Sequence, residues 1–204
     1  VYDLKEKKTL YSQALDPGIV KKLMEFGMEE GAMIHVLSER SIVQKDQQSH
    51  MADFHMGIYQ TMFDQITDKL ENIYNSFCEE PFPVLKLNLY HRDEASRART
   101  VERIKAAGLE TALALAESTS LECSAKGIDK GVGLKKLCEH LGLPLEQTIA
   151  VGDADNDTMA LKTAGLAVAM GNATEPIKAL ADVIVADCDH NGCAEAIDKY
   201  LLAD

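Results

Sequence analysis

Apolar positions along this chain change their period several times, and each change marks an element. Residues 1–14 alternate loosely around the charged turn Lys5-Glu6-Lys7-Lys8, which predicts a hairpin pairing Val1–Leu4 with Thr9–Gln13. Asp16-Pro17 supplies an N-cap with proline in the first helical turn. Ile19, Val20, Leu23 and Met24 carry that helix on to Gly27 or Gly31. Residues 32–37 and 41–43 read as strands. Ile58, Met62, Phe63, Ile66, Leu70, Ile73, Tyr74 and Phe77 keep helical spacing, which predicts helix over 57–77 until Pro81-Phe82-Pro83 stops it. Residues 84–90 alternate as a strand, and 94–107 form a charged amphipathic helix ended by Gly108. Two short strands follow at 111–116 and 121–125.

From Lys126 onward strand and helix alternate strictly: helix 131–140, strand 149–151, helix 157–164, strand 166–170, helix 175–181, strand 183–185 and a closing helix 194–202. Such alternation implies a parallel sheet. The expected architecture is therefore α/β, with a partial parallel core at 121–204, a separate α+β domain at 1–120, and a boundary near 120–127.

One strand end carries candidate chemistry. The apolar run Thr148-Ile149-Ala150-Val151 leads into Gly152-Asp153-Ala154-Asp155-Asn156-Asp157. Gly152 lets the backbone turn sharply, and Asp153 then stands at the carboxyl end of a strand, where open α/β sheets bind ligands. Upstream, Lys126-Gly127-Ile128-Asp129-Lys130-Gly131 opens a helix. A lysine with a carboxylate cluster suits Mg2+-assisted handling of a phosphate. Asp157 is suited either to orient a metal-bound water or to pair with a lysine. Taken alone, Asp-Asn-Asp also fits a plain N-cap after a turn, and Lys130 upstream tips the balance toward a site.

The formal net charge of −12 argues against nucleic-acid or anionic-membrane partners, although a local Mg2+ reverses the sign of a pocket. No apolar run reaches the length needed to span a bilayer. Five scattered cysteines without a Cys-x-x-Cys pair read as free thiols, and with no visible signal peptide a cytoplasmic location is expected. His35, His55, His91 and His140 lack ligand spacing, and Lys126 reads as solvated, with a substrate contact as the alternative.

Four motifs in order, Lys126–Gly131, Gly152–Asp157, Ala167–Ala173 and Asn191-Gly192-Cys193-Ala194, resemble the haloacid dehalogenase superfamily, specifically its Cof-type phosphatase branch with a large α/β cap. The resemblance is close over 120–204 and loose before it. It implies a Rossmann-like core with a cap domain at 1–120, Mg2+-dependent phosphatase activity, and small phosphorylated metabolites of sugar-phosphate type as substrates. Carried over residue by residue, it implies that Lys130 binds the phosphoryl group and steadies the nucleophile. It further implies that Asp153 binds Mg2+, Asn156 contacts substrate phosphate and Asp157 supports the metal shell.

The family also opens with an apolar strand and Asp-x-Asp-Gly-Thr, whose first aspartate is the nucleophile, and this sequence contains no such string. Val183-Ile184-Val185-Ala186-Asp187-Cys188-Asp189 imitates it but lacks Gly-Thr and follows the metal motif, so it matches the closing segment instead. Because the chain begins at Val1, its true start is expected upstream. The expected product is a truncated form, inactive or weakly active, with weak Mg2+ binding; a non-catalytic binding protein is the alternative. An uncovered edge at strand 148–151 would favour a homodimer or association with the absent core segment.

Overall fold

The computed structural model describes residues 1–117 and 119–202, so the last two positions of the expected 121–204 domain lie outside the described residues. The chain divides into two compact units, Gln13–Gly127 on one side and Val1–Ser12 with Ile128–Asp204 on the other.

In chain order the elements are β1 (Tyr2–Asp3), β2 (Lys8–Thr9), α1 (Pro17–Glu29), β3 (Met33–Leu37), β4 (Ser41–Gln44), α2 (Lys45–Gln48), α3 (Gln60–Ile66), β5 (Asp68–Leu70), α4 (Ile73–Glu79), β6 (Lys86–Tyr90), α5 (Glu94–Ala106), β7 (Thr111–Ala116) and β8 (Ser120–Ala125). Then come α6 (Lys130–Leu141), β9 (Ile149–Gly152), α7 (Thr158–Thr163), β10 (Leu166–Ala169), α8 (Glu175–Leu180), β11 (Val183–Ile184) and α9 (Gly192–Ala196), which continues as a π-helical turn over Ile197–Leu201.

The first unit is built on a six-stranded sheet ordered β5-β4-β3-β6-β8-β7, antiparallel except where β5 runs parallel to β4. Strand alternation assigns its two faces. Ile34, Val36, Ile42, Leu87, Leu89, Leu121 and Cys123 point to a core shared with Val20, Leu23, Met24, Ile73, Phe77 and Ile104 from the helices. Met33, Val43 and Tyr90 point to the opposite face, where Met51, Phe54, Met56 and Phe63 cover them. The Asp16 side chain caps α1 through Gly18 N at 2.8 Å and Ile19 N at 3.2 Å. Gly27 does not end that helix. It passes so close to the sheet that a Cβ would stand 2.6 Å from Leu89 Cδ2, and the helix runs on to Glu29.

The helix expected over 57–77 is interrupted. Its apolar positions serve two different cores: Phe63 packs on one face of the sheet, Ile73 and Phe77 on the other. A single straight helix cannot reach both, so the chain crosses the sheet edge as β5, pairing Ile42 with Asp68 and Gln44 with Leu70. Asn72 then caps α4 by accepting from Asn75 N at 2.8 Å.

In the second unit β11-β10-β9 form a parallel three-stranded sheet, as the strand–helix alternation predicts. Leu161, Ala167, Ala169 and Ile177 pack on one face; Val168, Met170, Val185 and Ala196 pack on the other. The N-terminal hairpin, grouped from sequence with the first part of the chain, belongs to this unit. Its pairing is short, Tyr2 with Thr9 and Asp3 with Lys8, and the Tyr11 ring lies 5.8 Å from Lys136 Nζ on α6. Among the described residues no helix is long and apolar enough to cross a membrane.

Candidate active site

Asp153, Asn156 and Asp157 follow the carboxyl end of β9, and Lys130 reaches them from α6. Gly152 is buried, and a Cβ there would meet Asp157 Cβ at 2.5 Å, so the absent side chain is what lets the Asp157 carboxylate fold back under the turn. One Asp157 oxygen accepts from the backbone amides of Asp153 at 3.1 Å and Ala154 at 3.5 Å, and the other accepts from Lys130 Nζ. The pair is asymmetric: the Asp157 side chain is 12 % exposed and that of Lys130 50 %. Burial alone would raise the Asp157 carboxyl. The Lys130 hydrogen bond and the two loop amides outweigh it and hold the group below the usual carboxylate range.

Lys130 reaches this position because α6 lies hard against α7. A Cβ at Gly131 would stand 2.5 Å from Met159 O and 2.6 Å from Thr163 Oγ1. Asp129 caps the same helix by accepting from Val132 N at 2.9 Å, which fixes where Lys130 leaves the backbone.

Asp153 is exposed beyond the strand end. Asn172, in the turn after β10, donates to its Oδ2 at 3.2 Å and accepts from Cys188 N at 3.0 Å. Asn172 therefore orients Asp153. The motif Ala167–Ala173 contains Asn172, to which the sequence alone assigns no role. Its signal was an asparagine after the glycine that ends a parallel strand next to β9. Asn156 is half-buried, and among the described residues its side chain makes no hydrogen bond, so its amide stays available.

The other candidates are occupied. Asp187 accepts from Asp189 N at 3.0 Å and from His190 Nδ1 at 2.6 Å, closing its own turn. Lys126 pairs with Glu110. His91 is fully buried, its ring bonded to Thr100 Oγ1 at 2.8 Å and Thr119 O at 3.2 Å. His35 is also buried, between Ser41 Oγ at 2.8 Å and Tyr90 OH at 3.3 Å.

A family profile described as haloacid dehalogenase-like hydrolase matches residues 1–197. The chain belongs to this family. Phosphatase YwpJ of Bacillus subtilis is 46% identical over 83 residues, which are 41% of this chain and 29% of that protein. The 5-amino-6-(5-phospho-D-ribitylamino)uracil phosphatase YcsE of the same organism is 36% identical over 118 residues, 58% of this chain and 47% of that protein. The matched segments thus span less than half of these two relatives. Among solved structures, a haloacid dehalogenase-like hydrolase from B. subtilis superposes with a TM-score of 0.81 at 22% identity, covering 96% of this chain and 74% of that one. The subclass IIB sugar phosphatase BT4131 superposes at 0.78 with 21% identity, covering 97% and 72%. At these identities the superpositions show the shared fold.

For Mg2+, which the family implies, Asp153 offers a suitable carboxylate. Both Asp157 oxygens are taken by Lys130 and the loop amides, whereas Asp153 Oδ1 accepts no hydrogen bond among the described residues. Among the described residues no group of three or more His, Cys, Asp or Glu side chains converges as a metal cage. A single exposed carboxylate fits Mg2+, which takes one or two carboxylates and fills its octahedron with water and substrate phosphate.

Proposed function

We propose that this chain supplies the phosphate- and metal-binding part of a Mg2+-dependent phosphatase acting on small phosphorylated metabolites. The observation that carries the reading is Lys130, locked against Asp157 beneath the β9 turn, with Asn156 and Asp153 on the same loop. The similarity to the 5-amino-6-(5-phospho-D-ribitylamino)uracil phosphatase YcsE, and to a phosphoglycolate phosphatase of Methanopyrus kandleri, supports the substrate class.

Each side chain has a distinct task in this reading. Lys130 has three N–H donors and gives one to Asp157; the others serve phosphoryl oxygens. The Asn156 amide donates to the same group. Asp153, steadied by Asn172, would hold Mg2+, which when bound neutralises charge on the phosphoryl oxygens. Asp157 supports the metal side indirectly, by fixing the Asp153 and Ala154 amides and so the loop.

In this reading these residues bind and orient. The 204 residues contain no Asp-x-Asp-Gly-Thr, and Asp187 is committed to its own turn. The chain should therefore leave p-nitrophenyl phosphate near background turnover in Mg2+, with no change in Asp187→Asn. Robust turnover that Asp187→Asn abolishes would overturn the assignment of roles.

A further inference from the structure

The first unit holds a cavity lined by its own residues. It has a volume of about 260 Å3 and opens on the sheet face opposite the main helices. Its walls are aromatic and thioether: His35, Tyr59, Phe63 and Tyr90, with Met56 and Met62. The His35 ring stands 5.0 Å from that of Phe63 and stacks at 6.1 Å on Tyr90, so the back wall is a continuous π surface. The cavity volume has room for a ring with a short arm.

The charged groups among the described lining residues share one sign. Glu117 and Glu122 line the cavity, and none of the described residues lining it is lysine or arginine. Glu122 is paired with Lys86 at 2.8 Å, which meets part of its charge. Among the described residues the Glu117 carboxylate accepts only from neutral hydroxyls, Ser120 Oγ at 3.3 Å and Tyr59 OH at 3.5 Å, while Arg97 donates to the Glu117 backbone carbonyl at 3.2 Å. Glu117 also sits at φ 53°, a left-handed conformation uncommon for glutamate, which turns the chain between β7 and β8. Burial lowers His35 to about 4, with Lys86 adding to the shift, so its ring is neutral near pH 7 and contributes no cation. Burial likewise raises Tyr90 to about 12, with both glutamates adding to it against the Asn88 hydrogen bond. An aromatic box with carboxylates at its rim is matched to a cation and repels an anion.

We infer that this cavity binds a small organic ammonium ion, a ring-bearing primary amine, with its ring against His35, Phe63 and Tyr90 and its charge at Glu117. This inference stands on the first unit alone and does not depend on the phosphate reading. Three probes of one skeleton test it: phenethylamine, phenethyl alcohol and 3-phenylpropionate, each titrated at pH 7 without phosphate or Mg2+. The amine should bind best, the alcohol about fivefold more weakly, and the carboxylate most weakly, with methyl resonances of Met56 and Met62 reporting the site. Glu117→Gln and Glu117→Gly, the second suited to the left-handed turn, should each weaken the amine about fivefold and leave the alcohol unchanged. The inference is overturned by equal or tighter binding of the carboxylate, by no binding of any probe at millimolar concentration, by shifts confined to other methionines, or by amine affinity unchanged in both variants.

Discussion

Gly152 and Asp157 are a pair. A methyl group on Gly152 would overlap Asp157 Cβ at 2.5 Å, and no flexible chain end is there to move aside. Gly152→Ala should cost about 2–3 kcal/mol in denaturant unfolding. An unchanged midpoint would show that the loop relaxes freely. The lowered Asp157 carboxyl has a pH consequence. Because its folded value lies below its unfolded value, its contribution is present above the unfolded carboxylate range, near 4, and is lost as pH falls through the folded value. Asp157→Asn should therefore flatten the acid limb of a stability-versus-pH profile in that window. An identical acid limb in the variant would contradict the Lys130–Asp157 account.

At the scale of elements, α6 and α7 are held together by the lack of a side chain at Gly131. Alanine is the better helix former by about 1 kcal/mol, yet here its Cβ would press on Met159 O and Thr163 Oγ1. Gly131→Ala should destabilise by about 2 kcal/mol net and displace Lys130; a stabilised variant would refute the close approach. Legibility in the sequence also divides by element. The cap at Asp16, and the strand–helix alternation after Lys126, rest on local rules and read directly. β5 was hidden because Leu70 and Ile73 continue a helical period by coincidence, although they lie in two different elements. The contact between Asn172 and Asp153 was equally hidden, since it joins turns 19 residues apart through sheet order. Lys130, Asp153, Asn156 and Asp157 are candidates from the strand-end motif and the family resemblance, but only the folded loop separates the carboxylate that orients Lys130 from the one left open to solvent.

For the whole molecule, the parallel sheet β11-β10-β9 leaves β9 at an edge, and Val151 on it is 38 % exposed. An edge strand with an exposed apolar side chain is a pairing surface. The chain should self-associate at micromolar concentration in light scattering, and Val151→Lys should shift it toward monomer. A monomeric parent chain would contradict this. The central claim is that the end of β9 forms a phosphoryl cradle with Lys130 as its donor. Calorimetric titration of inorganic phosphate with and without Mg2+ tests it most directly, on the parent chain and on Lys130→Ala and Asp153→Asn. The account predicts phosphate binding strengthened by Mg2+, weakened about tenfold or more in Lys130→Ala, with the Mg2+ effect alone lost in Asp153→Asn. Phosphate affinity in Lys130→Ala equal to that of the parent chain would contradict it.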